Sequence, residues 1–344
     1  MSTESPLDPA IASLISRIPK VELHLHLEGT LEPELMFALA ERNGVELPYR
    51  DVEAAREAYE FSNLQSFLDL YYTGCAVLVT RHDFRDLTLA YLRRAAHDNV
   101  RHVEPFFDPQ AHTGRGISFD TVIGGILDGL AAGRREFGIT SGLILSFLRD
   151  LPAKSAAATL LEAEPWTAHL VAVGLDSAEI GNPPEKFAAV YARACALGLR
   201  AVAHAGEEGG ADLVTRTLDT LDVSRIDHGV RAAEDPALVR RLVAERIPLT
   251  VCPLSNVKLG VFPSLGASTL RVLLDAGVVV TINSDDPAYF GGYIGANFVR
   301  CASAFSLTRR ELRTLGANAI EGSFAGEKRK SELLAELDEV FSAT

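Results

Sequence analysis

Short apolar runs rich in Val, Ile and Leu recur along the chain, and segments with helical periodicity separate them. This alternation predicts parallel β-strands, each followed by a helix that covers it. Strands are expected at residues 20–27, 100–107, 140–148, 168–175, 200–205, 224–229, 248–253 and 278–284. Eight such repeats favour an α/β fold of the closed (β/α)8 TIM-barrel type over an open, doubly wound sheet.

The segments between the strands carry recognisable helix signals. Asp235 precedes Pro236 at the start of one periodic segment, which predicts an N-cap followed by the first helical residue. About 70 residues separate the first two strands, more than a simple crossover needs. Apolar side chains at 64, 67, 68, 71 and 72 follow helical spacing there, with Ser62 and Asn63 as candidate N-caps.

We therefore expect one barrel domain over residues 1–344, with a helical insertion at about 45–95. The simpler interpretation of the insertion is a helix packed on the barrel. The functional interpretation is an apolar lid over the barrel mouth, because insertions at that end often shape the site.

Composition narrows the class of partner. The net charge of −13 disfavours binding to DNA or RNA, since a phosphate polyanion would be repelled. No apolar stretch approaches the roughly 20 residues that cross a bilayer, and the N-terminus lacks the layout of a secretory signal. The sequence predicts a cytoplasmic protein that acts on a small molecule, with a homo-oligomer left open. Four scattered cysteines form no Cys-x-x-Cys pair, which argues against a zinc knuckle.

Polar clusters fall at the predicted carboxyl ends of four strands, where barrel enzymes keep their chemistry. Side chains alternate along a strand, so His24, His26 and Glu28 are expected to share one face. The four clusters are His24-Leu-His26-Leu-Glu28, His204-Ala-Gly-Glu207, Asp227-His228-Gly229 and Asn283-Ser-Asp285-Asp286. Buried ionisable groups are costly unless they are paired or bind metal, so four equivalent clusters indicate a metal site.

Three histidines and one aspartate make a shell suited to a single zinc ion: His24, His26, His204 and Asp285. Asp285 shares strand parity with Asn283 and is the better ligand of the two neighbouring aspartates. Glu207 lies beyond the strand end, where it can exchange protons with a substrate, and His228 can orient the attacking water. Iron or cobalt would also suit such a shell. The other five histidines lie in no comparable cluster and are predicted to be structural or superficial.

The chain resembles the adenosine/adenine deaminase family of zinc-dependent barrel hydrolases. The motifs that carry the resemblance are Pro-Lys-Val-Glu-Leu-His-Leu-His-Leu-Glu-Gly-Thr (19–30), His-Ala-Gly-Glu (204–207), Asp-His-Gly (227–229), Cys-Pro-Leu-Ser-Asn (252–256) and Asn-Ser-Asp-Asp-Pro (283–287). The resemblance implies the same four zinc ligands. It also implies that Glu207 protonates purine N1, that His228 positions the hydroxide that zinc activates, and that Asp286 binds N7.

Two departures from the adenosine deaminase pattern bear on the substrate. Glu28 stands where those enzymes have an aspartate that reaches the ribose, and its longer side chain is expected to crowd a sugar. Glu179 stands where they have a glycine whose backbone N–H holds purine N3. The segments 104–110 and 288–293 are similar to the adenine deaminase branch.

The resemblance therefore implies conversion of free adenine to hypoxanthine and ammonia. Three alternatives stay open: deamination of an N6-substituted adenine, deamination of adenosine, and a catalytically silent purine-binding protein. A metal-dependent phosphoesterase is disfavoured by the single-metal shell and by the acidic charge.

Overall fold

A computed structural model describes residues 7–59, 61 and 64–342, which form ten short strands that pair only in parallel. The strands are β1 Lys20–Glu22, β2 Val100–Val103, β3 Phe106–Phe107, β4 Thr140–Ser141, β5 Leu143–Leu148, β6 Leu170–Asp176, β7 Arg200–Ala205, β8 Arg225–His228, β9 Leu249–Val251 and β10 Val280–Ile282. The predicted second strand is divided into β2 and β3, and the predicted third into β4 and β5. Ten pieces thus correspond to the eight predicted strands.

The strands follow one another in chain order around the sheet. One segment has the order β1-β2-β4, and the other runs β10-β9-β8-β7-β6-β5-β3. Backbone hydrogen bonds just after β1 connect the two sheet segments. The Phe106 N–H donates to the Leu25 carbonyl at 2.8 Å, and the Asp285 N–H donates to the His24 carbonyl at 3.1 Å. The first strand therefore contacts both the second and the last, as the predicted (β/α)8 barrel requires.

Helices alternate with the strands. They are α1 Pro9–Arg17, α2 Pro33–Asn43, α3 Val52–Ala58, α4 Leu64–Cys75, α5 Arg81–His97, α6 Pro109–Thr113, α7 Phe119–Phe137, α8 Ala153–Ala163, α9 Ala188–Ala196, α10 Ala211–Leu221, α11 Pro236–Glu245, α12 Pro253–Lys258, α13 Leu270–Asp275, α14 Pro287–Phe290, α15 Ile294–Phe305, α16 Arg309–Gly322 and α17 Glu327–Ser342. The predicted start of α11 is confirmed, since the Asp235 side chain accepts from the Ala237 N–H. Ser62 and Asn63 lie outside the described residues.

The long segment between β1 and β2 divides into two parts. Helix α5 packs closely on α7: a Cβ at Gly125 would lie 2.3 Å from the Arg81 carbonyl oxygen, and one at Gly129 would lie 2.5 Å from Thr88 Cβ. Small residues on α7 therefore let α5 lie against the barrel as one of its covering helices. Helix α4 instead joins an aromatic cluster with α14 at the barrel mouth. The domain bounds and the lid function stay predictions.

Two apolar groups support the barrel. The main core lies largely between the helices and the strands, and a smaller buried cluster comprises Phe106, Ile144, Ala172 and Val202. The Phe106 ring contacts the rings of His24 and His26, with centroids 5.3 and 5.1 Å apart. This packing restricts the two imidazoles to defined orientations. Within the described part of the chain, no helix combines the length and apolarity needed to cross a membrane.

Candidate metal centre and active site

Four side chains from three strand ends converge at the barrel mouth. His24 and His26 follow β1, His204 is in β7, and Asp285 follows β10. One ligand atom from each lies within 4.8 Å of the others, and all four residues are buried. His26 Nε2 is 3.1 Å from His204 Nε2, and Asp285 Oδ1 is 3.3 Å from His24 Nε2. The bond from the Asp285 N–H to His24 fixes the first and last strands in this register.

The second nitrogen of each histidine faces an oxygen. His24 Nδ1 lies 3.1 Å from the Thr250 carbonyl, and His26 Nδ1 lies 3.5 Å from Asp176 Oδ2. His204 Nδ1 lies 3.6 Å from Asp227 Oδ2. Metal-binding histidines commonly donate their outer N–H to an oxygen, which orients the ring. The three rings therefore have the surroundings of metal ligands.

Several observations test whether a divalent metal fits here. His24 Nε2 is buried and has no hydrogen-bond partner among the described residues. Burial, and then the neighbouring His24, holds the pKa of His204 well below its usual value, which keeps a lone pair available. Although burial opposes it, the nearby His24 keeps the pKa of Asp285 low, so this carboxylate is ionised. Three imidazoles and one carboxylate suit a tetrahedral cation such as zinc.

Glu207 lies beside this cluster, just beyond the end of β7. Its Oε2 is 3.5 Å from His228 Nε2, and its Oε1 is buried without a hydrogen-bond partner among the described residues. Burial, and next the charge of Asp285, raises the pKa of Glu207 well above its usual value. A raised pKa favours the protonated carboxyl, which is the form that can donate a proton.

His228, the last residue of β8, lies between the acid and the metal cluster. Its Nε2 is 3.8 Å from Asp285 Oδ2, and its Nδ1 is 3.3 Å from the Asn256 side-chain nitrogen. Burial, and then the neighbouring His24, lowers the pKa of His228 to about 3, so the ring is neutral. Because the Asn256 amide donates to Nδ1, the hydrogen of the neutral ring resides on Nε2.

Backbone strain marks two of these positions. His228 has a φ of 62° and Asp285 a φ of 65°, in the left-handed region that L-residues rarely adopt. Such conformations persist where the surrounding structure determines them, and they cluster at active sites. The fold therefore holds the backbone in an unusual conformation at both of these candidate site residues.

Asp286 extends the polar wall next to Asp285. Its Oδ1 is buried and has no hydrogen-bond partner among the described residues. Burial, followed by the charge of Asp285, raises the pKa of Asp286 well above its usual value. A Cβ at Gly29 would lie 1.8 Å from Asp286 Oδ1, so the glycine of the first motif leaves the room that this carboxyl occupies.

These groups share one partly enclosed cavity. Its empty volume is about 440 Å³, a figure that includes space open to solvent. Polar residues form one part of the lining, and apolar residues from α4 and α14 form another. The lining is His26, Leu64, Phe67, Leu68, Tyr71, Tyr72, Asp108, Leu148, Asp176, Ser177, His204, Glu207, His228, Leu259, Asp285, Asp286 and Phe290.

The structure gives different positions to two predicted substrate contacts, Glu28 and Glu179, since neither is among the described residues that line the cavity. Glu28 Oε1 accepts from His112 Nε2 at 2.9 Å and from the Asp108 N–H at 3.2 Å. These contacts hold the Glu28 carboxylate in the protein interior, and the crowding of a sugar by Glu28 stays a prediction.

Glu179 is also engaged within the protein. Its backbone N–H donates to Glu208 Oε2 at 2.9 Å, so that group already has a partner other than purine N3. Its carboxylate accepts from backbone N–H groups of the loop that carries Glu207. The contact of Glu179 with substrate stays a prediction, and its side chain makes a separate set of hydrogen bonds within the protein.

Sequence reasoning missed several residues around the site. Asp108 and Asp176 line the cavity, although the sequence alone assigns neither of them a role. Arg149 is fully buried and donates from Nη1 to the His204 carbonyl at 2.8 Å, which supports a metal-cluster residue from below. Asn256 fixes the tautomer of His228. Asn256 and Asp108 lay within recognised motifs, which was the available signal.

Comparison with known proteins places this geometry in a family. The family model described as adenosine deaminase matches residues 19–340. The adenine deaminase of Cupriavidus necator is 57% identical over 337 residues, which cover 98% of this chain and 96% of that protein.

Solved structures give the same result. The adenine deaminase of Arthrobacter aurescens has a TM-score of 0.93 at 53% identity, covering 95% of this chain and 100% of that one. An amidohydrolase from Burkholderia ambifaria, solved with bound zinc, has a TM-score of 0.89 at 27% identity and covers 99% of this chain and 96% of that one. The chain therefore belongs to the adenosine deaminase family.

Proposed function

We propose that this protein is a zinc-dependent adenine deaminase, which converts adenine and water to hypoxanthine and ammonia. The bond between C6 and N6 breaks, and the water oxygen becomes the oxygen on C6. Of the two water protons, one ends on N1 and the other on the departing nitrogen.

Zinc would be held by the three nearby imidazoles and by the carboxylate of Asp285. When bound, zinc lowers the pKa of a coordinated water to about 7 and so supplies hydroxide at neutral pH. The carboxylate–histidine contacts, such as Asp227 with His204, orient the ligands.

Glu207 is the proton donor in this proposal. A proton on N1 draws electron density from C6 and makes that carbon a better acceptor for oxygen. The raised pKa of Glu207, caused first by burial, keeps the proton on its carboxyl until the purine arrives. General acid help of this kind typically contributes about 10²–10⁴-fold to a rate.

Two further side chains position the reacting groups. His228 donates from Nε2 toward the attacking oxygen, because its Nδ1 faces the Asn256 amide. Asp286 binds N7, whose lone pair requires a donor, so its carboxyl carries a hydrogen in the complex. Together with Glu207, these contacts would hold the purine with C6 beside the four-ligand cluster.

One observation carries the proposal: a buried acid, Glu207, lines one cavity with three residues of the four-ligand cluster, in a chain whose relatives are named adenine deaminases. A purine-binding protein without activity would have no need of an unpartnered acid beside the ligands. A phosphoesterase would need cationic groups toward its substrate, whereas this cavity presents carboxyls.

The test is a substrate panel with metal analysis. Purified protein is assayed for formation of the 6-oxopurine product (hypoxanthine from adenine and N6-isopentenyladenine, inosine from adenosine), and its zinc, iron and cobalt contents are measured. Adenine should give the highest kcat/KM, with about one zinc per chain. If adenosine or N6-isopentenyladenine outpaces adenine, the proposed substrate is wrong; full activity in metal-free protein would contradict the mechanism.

A further inference from the structure

Asp108 presents an acceptor to the cavity that the proposed mechanism does not use. It follows β3, is 3% exposed, and lines the cavity. Its Oδ1 is buried and accepts from no N–H or hydroxyl group of the described residues. The carboxyl of Asp176, which is also 3% exposed, has a ligand atom within 4.8 Å of one on Asp108.

The rest of Asp108 is firmly held. Its Oδ2 accepts from Tyr71 Oη at 3.0 Å, and its backbone N–H donates to Glu28 Oε1 at 3.2 Å. Glu28 is in turn held by His112 Nε2 at 2.9 Å. Two fixed contacts, one from helix α4 and one from the barrel, thus hold Asp108, and its carboxyl also hydrogen-bonds to that of Asp176. Because each carboxyl oxygen has two lone pairs, the group can still accept a further hydrogen from a ligand.

The position of Asp108 relative to Asp286 matters for a purine. Asp108 and Asp286 line the same cavity, and the charge of Asp108 is one of those that raise the pKa of Asp286, after burial and Asp285. N7 and N9 are separated by a single carbon in the same five-membered ring. A second carboxyl of the same cavity is therefore a candidate partner for N9 when N7 binds Asp286.

We propose that Asp108, fixed by Tyr71 and Glu28, accepts a hydrogen bond from N9–H of the free base and thereby selects purines without an N9 substituent. This inference rests on the proposed function. A sugar or methyl group on N9 removes the hydrogen, leaves the carboxyl without its partner, and projects toward the α4 side chains. Sites built to bind a particular N–H discriminate strongly against analogues that lack it.

The decisive comparison is adenine against 9-methyladenine, which differ at N9 alone. Wild-type protein should show a kcat/KM at least about 100-fold higher for adenine. In Asp108→Ala, kcat/KM for adenine should fall about 10- to 100-fold while that for 9-methyladenine falls little, so the ratio collapses. Tyr71→Phe should lower the ratio by a smaller factor, since Asp108 stays but loses one restraint.

Tyr59→Phe is the matched control. Tyr59 stacks on Tyr289 in the same aromatic cluster, with centroids 4.5 Å apart, and is not among the described residues that line the cavity. Its substitution should leave the ratio unchanged. An unchanged ratio in folded, zinc-loaded Asp108→Ala overturns the proposal, as does equal turnover of both bases by wild type. Inactivity on adenine would instead reject the proposed function, and a second zinc per chain would assign these carboxyls to a cation.

A second, independent observation concerns the Glu179 carboxylate. It accepts from four consecutive backbone N–H groups: Gly206 at 2.8 Å to Oε1, and Glu207, Glu208 and Gly209 at 3.2, 3.1 and 2.9 Å to Oε2. Successive N–H groups that converge in this way form an anion-binding concavity. Here the anion is a side chain of the same protein, only 3% exposed.

We infer that Glu179 is a positioning residue, which fixes the backbone of the loop that carries Glu207. The side chain of Glu207 has few contacts of its own, so its place depends on its backbone. Glu179→Gln retains the shape but places an NH2 group where N–H groups converge. We expect kcat to fall about 10- to 100-fold with KM and zinc content little changed.

Stability and catalysis separate the outcomes of this second test. If Glu179 had a purely structural role, Glu179→Gln would lower the melting temperature but leave kcat of the folded fraction unchanged. That result would overturn the inference, and so would a variant in which only KM changes. Glu185→Gln serves as the control, because Glu185 pairs with Arg216 at the surface at 2.8 Å. It should change neither kcat nor KM.

Discussion

Strand β8 connects two buried regions of charged and polar side chains, and these regions differ in how completely they are hydrogen-bonded. Its first residue, Arg225, is fully buried and donates to Glu104 Oε2 at 2.7 Å and to the Leu23 carbonyl at 3.1 Å. Its last residue, His228, faces carboxyl oxygens at 3.5 and 3.8 Å and belongs to a wall where several polar atoms have no hydrogen-bond partner among the described residues.

The two regions differ in whether their carboxyl groups have hydrogen-bond and ion-pair partners, not in whether they contain charged residues. At the start of the strand, Arg225 and His102 both bind Glu104, and despite burial Arg225 holds the pKa of that carboxyl below its usual value. At its end, the pKa values of Glu207 and Asp286 are raised, first by burial, because they lack such partners. A largely paired interior stabilises the fold, even though Arg225 Nε makes no hydrogen bond among the described residues. A wall with several unpaired groups is instead ready to bind a substrate.

The largest effect is expected at the incompletely paired end. Glu207→Gln keeps the shape of the acid but removes its transferable proton. Activity on adenine should fall about 10²–10⁴-fold, while zinc content and melting temperature change little. Steady-state kinetics on metal-analysed protein provide the measurement. Deamination at the wild-type rate would show that Glu207 is not the acid.

At the start of β8, where Arg225 pairs with Glu104, removing one partner should lower the stability of the fold rather than the rate of catalysis. Arg225→Met leaves the buried Glu104 without its main partner, and breaking such a pair costs about 3–5 kcal/mol. Urea unfolding should show this loss, with kcat/KM of the folded protein nearly unchanged. The double variant with Glu104→Gln should recover part of the stability. A catalytic defect without destabilisation would contradict the contrast between the two ends.

The sequence predicted most of the fold because the repeats are regular. Val-, Ile- and Leu-rich runs alternate with amphipathic segments, and all eight predicted strands correspond to observed ones. The limits of β1 could not be predicted, since Leu25 and His26 make only isolated bridges to Asp285 and Phe106. The sequence also could not show that α5 covers the barrel instead of belonging to the insertion. Its close packing on α7 depends on Gly125 and Gly129, which lie in a later segment.

The site was predictable where strand parity and position sufficed. The four proposed ligands follow from strand-end positions, and the structure brings them together. The contacts of Glu28 could not be predicted, because its partner, His112, lies 84 residues away in sequence. The hydrogen bonds of the Glu179 carboxylate could not be predicted either, because they join it to a later loop. Pairings between distant segments are the part that a single sequence does not reveal.

Asp227 lies between the two ends of β8 and should give an intermediate effect. Its Oδ1 accepts from Thr250 Oγ1 at 2.9 Å, and its Oδ2 lies 3.6 Å from His204 Nδ1. In Asp227→Asn the orientation and basicity of His204 change. Zinc affinity or activity should drop about 10–100-fold, with a modest loss of stability. Competition with a chelator measures the affinity; an unchanged zinc affinity and rate would place Asp227 with the structural end.

The smallest effect is expected at the start of β1. Lys20 is 2% exposed, and its Nζ donates to the carbonyls of Ile15, Ile18 and Asp98. Burial lowers the pKa of Lys20 from 10.5 to about 8. Between these values the unfolded chain binds more protons than the folded one, so this group makes stability rise with pH from about 8 to 10.5.

Lys20→Met should remove that rise. The three carbonyls lose a donor at every pH, which lowers stability by a constant amount and leaves the slope as the readout. The free energy of unfolding, measured from pH 7.5 to 9.5, should increase less steeply in the variant, by at most about 1.4 kcal/mol per pH unit. Equal slopes would mean that the carbonyls hold the ammonium charged throughout. The stabilising contacts around Lys20 would then not depend on pH in this range, unlike the proton-donating role proposed for Glu207.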